Sequence, residues 1–290
     1  MSHLMNNYGR LPVSFDHGQG VWLWDKEGHK YLDALAGIAV NSVGHAHPRL
    51  VRAIADQASK LIHCSNYFNI DLQEKVAEKL VEHSGLEAVF FCNSGLEANE
   101  CAIKIARKFG HTKGIEVPNI IVLKHAFHGR SIATLSATGN PSVREDFSPY
   151  TEGFIFVDES DLNGIRKIVE ENKNVVAIFF EPILGEGGVV PIDLSVIKGI
   201  REICDEHDLL MMCDEVQCGM GRSGKWFAHQ WAEIKPDVIT MAKGLAGGVP
   251  VGAVIVSEKA NIFKPGNHGS TFGGNPLAMR AALETLSIIE

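Results

Sequence analysis

The chain has no uninterrupted run of the roughly 18 apolar residues that a membrane-spanning helix needs, which excludes such a helix. Residues 1–12 hold no apolar leader segment, so the expected compartment is the cytoplasm. Lys and Arg form no block and the formal net charge is −8, a balance that argues against nucleic acid as a partner. Cysteine is sparse: Cys64, Cys92, Cys101, Cys204, Cys213 and Cys218 never pair as Cys-x-x-Cys. They are expected as small buried apolar groups, not as a disulfide framework. No Gly-x-Ser-x-Gly elbow and no His-Glu-x-x-His helix occurs, which removes two hydrolase classes.

What is present fits a globular α/β protein. Of 290 residues, 45% are hydrophobic and 21% charged, enough to bury a substantial core. Short continuous apolar runs occupy residues 88–92, 119–123, 153–157, 175–181, 209–214, 237–241 and 252–256. Amphipathic stretches lie between them at 98–109, 161–171 and 195–207, the last with Ile197, Ile200, Ile203 and Cys204 at helical spacing. Unbroken apolar runs suit strands buried on both faces, so the predicted fold is a mostly parallel seven-stranded sheet covered by helices.

The first 85 residues read differently. Segments 21–24 and 31–32 flank a turn at Asp25-Lys26-Glu27-Gly28, and 48–62 and 72–83 are predicted helices. This is expected as a small separate element against the main sheet. Residues 276–290 form an apolar-periodic helix without a C-cap, whose Leu286, Ile288 and Ile289 face no later partner, the pattern of a chain cut short.

Ligands of open α/β sheets bind at the carboxyl ends of strands, so the residues after each run carry the most weight. After 88–92 come Asn93-Ser94-Gly95-Leu96-Glu97. A Gly-containing turn opening a helix offers N–H groups and a positive dipole end to a phosphate. The same residues fit an ordinary capping box of Ser94 with Glu97, and no Gly-x-Gly-x-x-Gly stands here to support a nicotinamide reading. After 209–214 come Asp214-Glu215-Val216-Gln217. An aspartate ending a strand of Leu, Met and Cys is costly without a cation, and a pyridinium N–H would be one; a turn cap is the competing role.

After 237–241 come Ala242-Lys243-Gly244-Leu245-Ala246-Gly247-Gly248. A lysine among small residues can be desolvated into a nucleophilic amine, whereas most lysines are solvated surface charges. Phosphate-type turn, buried-type aspartate and flanked lysine all fall at strand ends of one sheet. Phe127 and Arg130 follow 119–123 and suit stacking on an aromatic cofactor and clamping a carboxylate, or else a core aromatic and a surface cation. Glu181 ends another strand, and Glu186 in Gly185-Glu186-Gly187-Gly188 either faces the site or forms a salt bridge. Ser270-Thr271 precede a helix and could offer hydroxyls to a phosphate. His45 and His47 lack the further members of a metal set and read as capping and packing.

These blocks, in order, resemble the class III, ornithine-type aminotransferases of fold type I. The likeness runs from Leu4 onward through Leu23-Trp24-Asp25, Gly37-Ile38-Ala39-Val40-Asn41, Gly44-His45, His47-Pro48, Asn93-Ser94-Gly95, Glu97-Ala98-Asn99-Glu100, Phe127-His128-Gly129-Arg130, Glu181-Pro182, Gly185-Glu186-Gly187-Gly188, Asp214-Glu215-Val216-Gln217, Gly219-Met220-Gly221-Arg222 and Ala242-Lys243-Gly244. Any one block is weak; the ordered set is specific.

The resemblance implies pyridoxal 5′-phosphate as cofactor, with Lys243 as its Schiff-base lysine and Asp214 as partner of the ring nitrogen. Gln217 would touch the ring hydroxyl, and Glu215 and Val216 belong to the same cofactor-binding block. Ser94, Gly95 and Leu96 match the phosphate turn, and Phe127 the stacking aromatic. Arg130 matches the arginine for the substrate carboxylate, Ser270 a substrate contact, and Thr271 a phosphate ligand supplied across a homodimer. Leu96 replaces the Thr or Ala common in relatives, with little expected loss because backbone N–H groups bind there. Ile38, where relatives acting on free ornithine carry tyrosine, favours an acylated amine. This points to transamination of N-acetylornithine with 2-oxoglutarate, in arginine biosynthesis. Succinylornithine, ornithine or γ-aminobutyrate as substrate, and a truncated cofactor-binding form, are the alternatives. The expected domains are 1–62 as the N-terminal part of a small domain, 63–275 as the cofactor-binding domain and 276–290 as a connecting helix. Members of the family continue into a C-terminal portion that holds an arginine partner of Glu186.

Overall fold

The computed structural model describes residues 3–290. An N-terminal antiparallel sheet comes first: β1 (Phe15–Gln19), β2 (Trp22–Asp25) and β3 (Lys30–Leu32), ordered β1-β2-β3. Asp25 closes the β2–β3 turn by accepting from the amides of Glu27 and His29 and from the Tyr31 hydroxyl. The turn matches the sequence pattern; β1, whose Phe15-Asp16-His17-Gly18-Gln19 is largely polar and exposed, has no apolar signature to announce it.

Next come the turn α1 (Ala36–Ala39) and the helices α2 (Pro48–Ala58) and α3 (Asp71–Ser84). The main unit is built from β4 (Ala88–Cys92), α4 (Gly95–Thr112), β5 (Asn119–Leu123), α5 (Ile132–Ala137), α6 (Pro141–Arg144), β6 (Phe154–Val157), α7 (Leu162–Glu171) and β7 (Val175–Phe180). A small ladder of β8 (Ile183–Leu184) and β9 (Val190–Pro191) follows, then α8 (Leu194–Glu206), β10 (Leu210–Asp214), β11 (Val238–Met241), β12 (Gly252–Val256) and α9 (Pro276–Ile289).

The central sheet has seven strands in the order β4-β12-β11-β10-β7-β5-β6. Pairing is parallel from β11 through β6, whereas β12 runs antiparallel to both β11 and β4. All six residues of β7 and all five of β10 are buried, which is why their sequences read as unbroken apolar runs. Alternate strand residues face opposite layers. Ile120, Val122, Phe179 and Met212 pack under α4, whose Cys101, Ala102, Ile105 and Ala106 are buried there. Ile121, Leu123, Ile178, Phe180 and Met211 face α7 and α8 through Ile165, Val169, Ile197, Ile200 and Ile203. The result is a three-layer sandwich.

Helix α9 does find partners, earlier in the chain. Leu286 is fully buried among Leu50, Val76, Leu80 and Leu245, and Ile288 and Ile289 are half-covered by the same cluster. Glu290 accepts from Lys79 Nζ at 2.7 Å. Of the cysteines, Cys92, Cys101, Cys204, Cys213 and Cys218 are buried free thiols, while Cys64 is partly exposed. Residues 219–224 do spell Gly-Met-Gly-Arg-Ser-Gly, but they form turns leading to the 3-10 segment Ala228–Ala232 and open no α-helix, so the dinucleotide-binding context is missing. His45 Nε2 pairs with Asp33 Oδ2 at 2.6 Å, and His47 stands at the N-cap position of α2. No helix among the described residues is long and apolar enough to cross a membrane.

Candidate active site

The carboxyl ends of β4, β5, β7, β10 and β11 and the start of β12 surround one cavity of about 460 Å³. The antiparallel return of β12 is what brings the segment after β11 back to this edge, because Gly252 pairs with Cys92 at the end of β4. At the β4 end, Ser94 caps α4 by accepting from the Glu97 amide at 3.2 Å. The capping-box carboxylate departs from the simple pattern: Glu97 reaches past Ser94 to the amide and side chain of Asn93. Gly95 and Leu96 form the first turn, where amides have no carbonyl four residues back, and both line the cavity. A methyl group on Gly95 would lie 2.6 Å from Val216 Cγ1, so glycine is needed for Val216 to approach.

Asp214, at the end of β10, is 3% exposed and each of its oxygens is engaged. Oδ2 accepts from Asn99 Nδ2 at 2.8 Å and faces His128 Nδ1 at 2.8 Å, and Oδ1 accepts from the Val216 amide at 3.0 Å. His128 is stacked on Phe179, and both His128 and Asn99 line the cavity. A carboxylate held this way by hydrogen bonds in an apolar surround is poised for a cation or an N–H entering the cavity.

Lys243 opens a 3-10 turn, Lys243–Ala246, and adopts φ +27°. That is the left-handed region, costly for a lysine, and it aims the residue out of the strand direction. Burial holds the Lys243 amine below the usual lysine range, against the opposing charges of Asp214, Glu181 and Glu186. Glu181 is pushed up to about 7, chiefly by burial and then by the charge of Asp214. Its Oε2 accepts from the Phe127 amide at 2.8 Å and its Oε1 from the Gly185 amide at 3.1 Å. Arg130 is exposed at the cavity rim with its guanidinium 5.8 Å from the Phe127 ring centre.

Ser94, Gly95, Leu96, Phe127, Arg130, Asp214, Val216, Gln217 and Lys243 are thus together in one wall, as their sequence positions implied. Glu215 is not. Its side chain turns away and accepts from the Ala228 amide, the His229 amide and the Cys218 thiol, with His229 Nδ1 at 2.9 Å. It anchors the 3-10 segment instead of touching the cavity, because β10 ends at Asp214 and the chain turns from there, with the Ala228 and His229 amides taking up the Glu215 carboxylate. Glu186 is exposed and outside the wall, near enough for its charge to act on Lys243. Ser270 Oγ accepts from Asn93 Nδ2 at 3.1 Å, one residue removed from the cavity, and Thr271 is exposed. Ile38 is 50% exposed in α1, where Ala36, Gly37, Ile38 and Ala39 all have positive φ, and it is Val40 that reaches the cavity.

Sequence reasoning gave no role to Asn99, His128 or Glu181. Asn99 did carry a signal, as a polar residue on the helix face of Ala98, Cys101 and Ala102, where an amide must find a buried partner.

The class-III aminotransferase profile matches residues 4–290. The chain belongs to the class-III aminotransferases. Among relatives of this aminotransferase, the acetylornithine aminotransferase of Nitrosomonas europaea is 56% identical over 291 residues, covering 100% of this chain and 74% of that protein. The acetylornithine aminotransferase of Synechocystis is 50% identical, covering 100% of this chain and 69% of its own length. In three dimensions the aminotransferase is similar to the ornithine aminotransferase of Toxoplasma gondii, with a TM-score of 0.95 and 36% identity over 99% of this chain and 69% of that one. The N-acetylornithine aminotransferase of Stenotrophomonas maltophilia gives a TM-score of 0.82 and 38% identity, covering 97% and 70% of the two chains. A further structure of the Toxoplasma enzyme has PLP at partial occupancy in its active site.

Proposed function

We propose that this class-III aminotransferase uses pyridoxal 5′-phosphate to move the δ-amino group of N-acetylornithine to 2-oxoglutarate, giving N-acetylglutamate semialdehyde and glutamate in arginine biosynthesis. The observation that carries the reading is the convergence of a desolvated Lys243, a hydrogen-bonded Asp214 and the open first turn of α4 on one cavity. The names of the relatives at 50% and 56% identity support the choice of N-acetylornithine.

The donor set fits the cofactor. The amides of Gly95 and Leu96 at the start of an 18-residue helix suit a phosphate. Asp214 suits the ring N–H, Gln217 the ring hydroxyl and Phe127 the ring face. When bound, the cofactor supplies an aldehyde carbon that reacts with amines and a ring that withdraws electrons from the carbon bearing the substrate amine. Asp214 would hold the ring N–H, and the Asn99 and His128 contacts fix its carboxylate for that bond. Lys243, whose amine burial holds below the usual lysine range, would be the group that moves the proton between the substrate carbon and C4′. Arg130, which makes no salt bridge among the described residues, holds the substrate carboxylate in bidentate fashion.

Two copies complete the site in this reading. Tyr67 is 96% exposed, Phe68 70% and Phe272 60%, and Asn66 Nδ2 ties their two segments by donating to the Ser270 and Gly273 carbonyls. An exposed apolar group beside Thr271 suits burial against a second copy, with Thr271 offered to the partner's cofactor. The deciding experiment compares amines on the purified protein: N-acetylornithine, succinylornithine, ornithine and γ-aminobutyrate, each followed by the loss of the cofactor's visible absorbance. N-acetylornithine is expected to react fastest; a strong preference for free ornithine overturns the substrate assignment.

A further inference from the structure

Glu181 is 4% exposed, lines the cavity and bonds to two loops at once. One oxygen accepts from the amide of Phe127, on the loop after β5. The other accepts from the amide of Gly185, four residues further on, where the β8–β9 turn begins. Gly185 in turn carries the side chain of Gln217, since a methyl group there would stand 2.3 Å from Gln217 Oε1. One carboxylate therefore joins, through a single continuous chain of contacts, the aromatic assigned above to the cofactor ring and the amide assigned to its hydroxyl.

We propose that Glu181 is a positioning residue that sets the place of Phe127 relative to Gln217 and so fixes the seat of the cofactor ring. The inference deepens the cofactor assignment made above and rests on it.

A buried carboxylate is an expensive means of filling space, because a leucine would do so without desolvation. What a carboxylate adds, once it loses its proton above a pH of about 7, is two acceptors on one rigid plane, which is the requirement for holding two amides that belong to different loops, so the affinities below are compared at pH 8 and above. Glutamine keeps the shape but presents an NH2 to one of the two amides, so one bond becomes a donor facing a donor. Aspartate keeps both acceptors but withdraws them by one methylene and cannot span both loops. Neither change touches a group that contacts the cofactor directly.

The test titrates cofactor-free protein with pyridoxal 5′-phosphate, in the wild type, E181Q and E181D, and repeats E181Q in a background already carrying F127A and Q217A. Losing one amide-to-carboxylate bond at this seat is expected to weaken cofactor binding about tenfold in E181Q, with a changed circular-dichroism band of the bound ring. In the F127A/Q217A background the same substitution is expected to change the affinity less than about threefold, because the groups it positions are gone. Thermal melts of the cofactor-free proteins establish that each variant is folded; if E181Q does not fold, E181D carries the comparison. Equal losses in both backgrounds, or E181Q binding as tightly as wild type with an unchanged band, overturn the proposal. A wild-type protein that takes up no cofactor overturns the reading beneath it instead, so the two failures are told apart.

Discussion

His128 Nδ1 stands 2.8 Å from Asp214 Oδ2 while its imidazole lies flat against Phe179, ring centres 4.1 Å apart. The histidine is pinned by stacking on one side, so the aspartate it meets is held without freedom to rotate. Replacing Asp214 with Ala leaves the buried His128 Nδ1 without its acceptor and Asn99 Nδ2 with only the His128 carbonyl, at an expected cost of about 1–3 kcal/mol. Asp214→Asn keeps a carbonyl oxygen for one of them and should cost less. Both variants are expected to lose turnover by on the order of 10²-fold or more, because a neutral partner no longer favours a charged ring. Denaturant unfolding and single-turnover rates separate the two effects.

Lys243 predicts its own pH signature in the cofactor-free protein. Its folded pKa is depressed, mainly by burial, so the fold is penalised wherever the amine must carry a proton. Stability contributed at this position is therefore present above the ordinary lysine pKa and lost as pH falls through the lowered one. Lys243→Met is expected to raise the melting temperature at pH 7, with the gain shrinking as pH approaches 10. A Met variant less stable than wild type at neutral pH contradicts this.

The opposite sign applies to Glu181. Its folded pKa is raised from 4.5 to about 7, so the folded protein retains a proton that the unfolded chain releases. That stability is full below the unfolded value and is lost as pH rises to about 7. The difference in stability between wild type and Glu181→Gln, measured by urea unfolding, should fall between pH 4.5 and 7 and stay flat above. Asp214, His128, Cys218 and Lys243, the titrating groups around it, are common to both proteins.

Gly95→Ala places a methyl group 2.6 Å from one Val216 methyl and 2.8 Å from the other. Either Val216 or the first turn of α4 must give way. The expected cost is about 1–3 kcal/mol of stability, with weaker cofactor phosphate binding alongside. Equilibrium unfolding and cofactor titration should both register it; a variant identical to wild type in both would mean that the turn is looser than this geometry.

Much of the main sheet was legible because burial on both faces left unbroken apolar runs. β4, β5 and β12 coincide with their predicted runs, and β7 and β10 differ by a residue at an end. Strand order and the reversal of β12 were not legible, since an antiparallel strand buried on both faces has the same apolar composition as a parallel one. At the site, Lys243, Asp214 and Gly95 stood out through residue type at a strand end. Glu215 was misplaced because a motif names neighbours without saying which way each side chain points. Asn99 and His128 escaped because their role exists only through Asp214, 115 and 86 residues away.

The reversed direction of β12 has a further consequence for Lys243. The segment that carries the lysine leaves β11 and re-enters the neighbouring strand, where Met241 is paired with Ala253. It is a loop whose two ends are stapled at one rung of a ladder, Met241 opposite Ala253, unlike the crossover connections elsewhere in the sheet. Closing so short a loop restricts the lysine backbone at the moment the chain folds. The ordering entropy of the nucleophile is thus spent during folding, and the ligand that later meets it finds that cost already met.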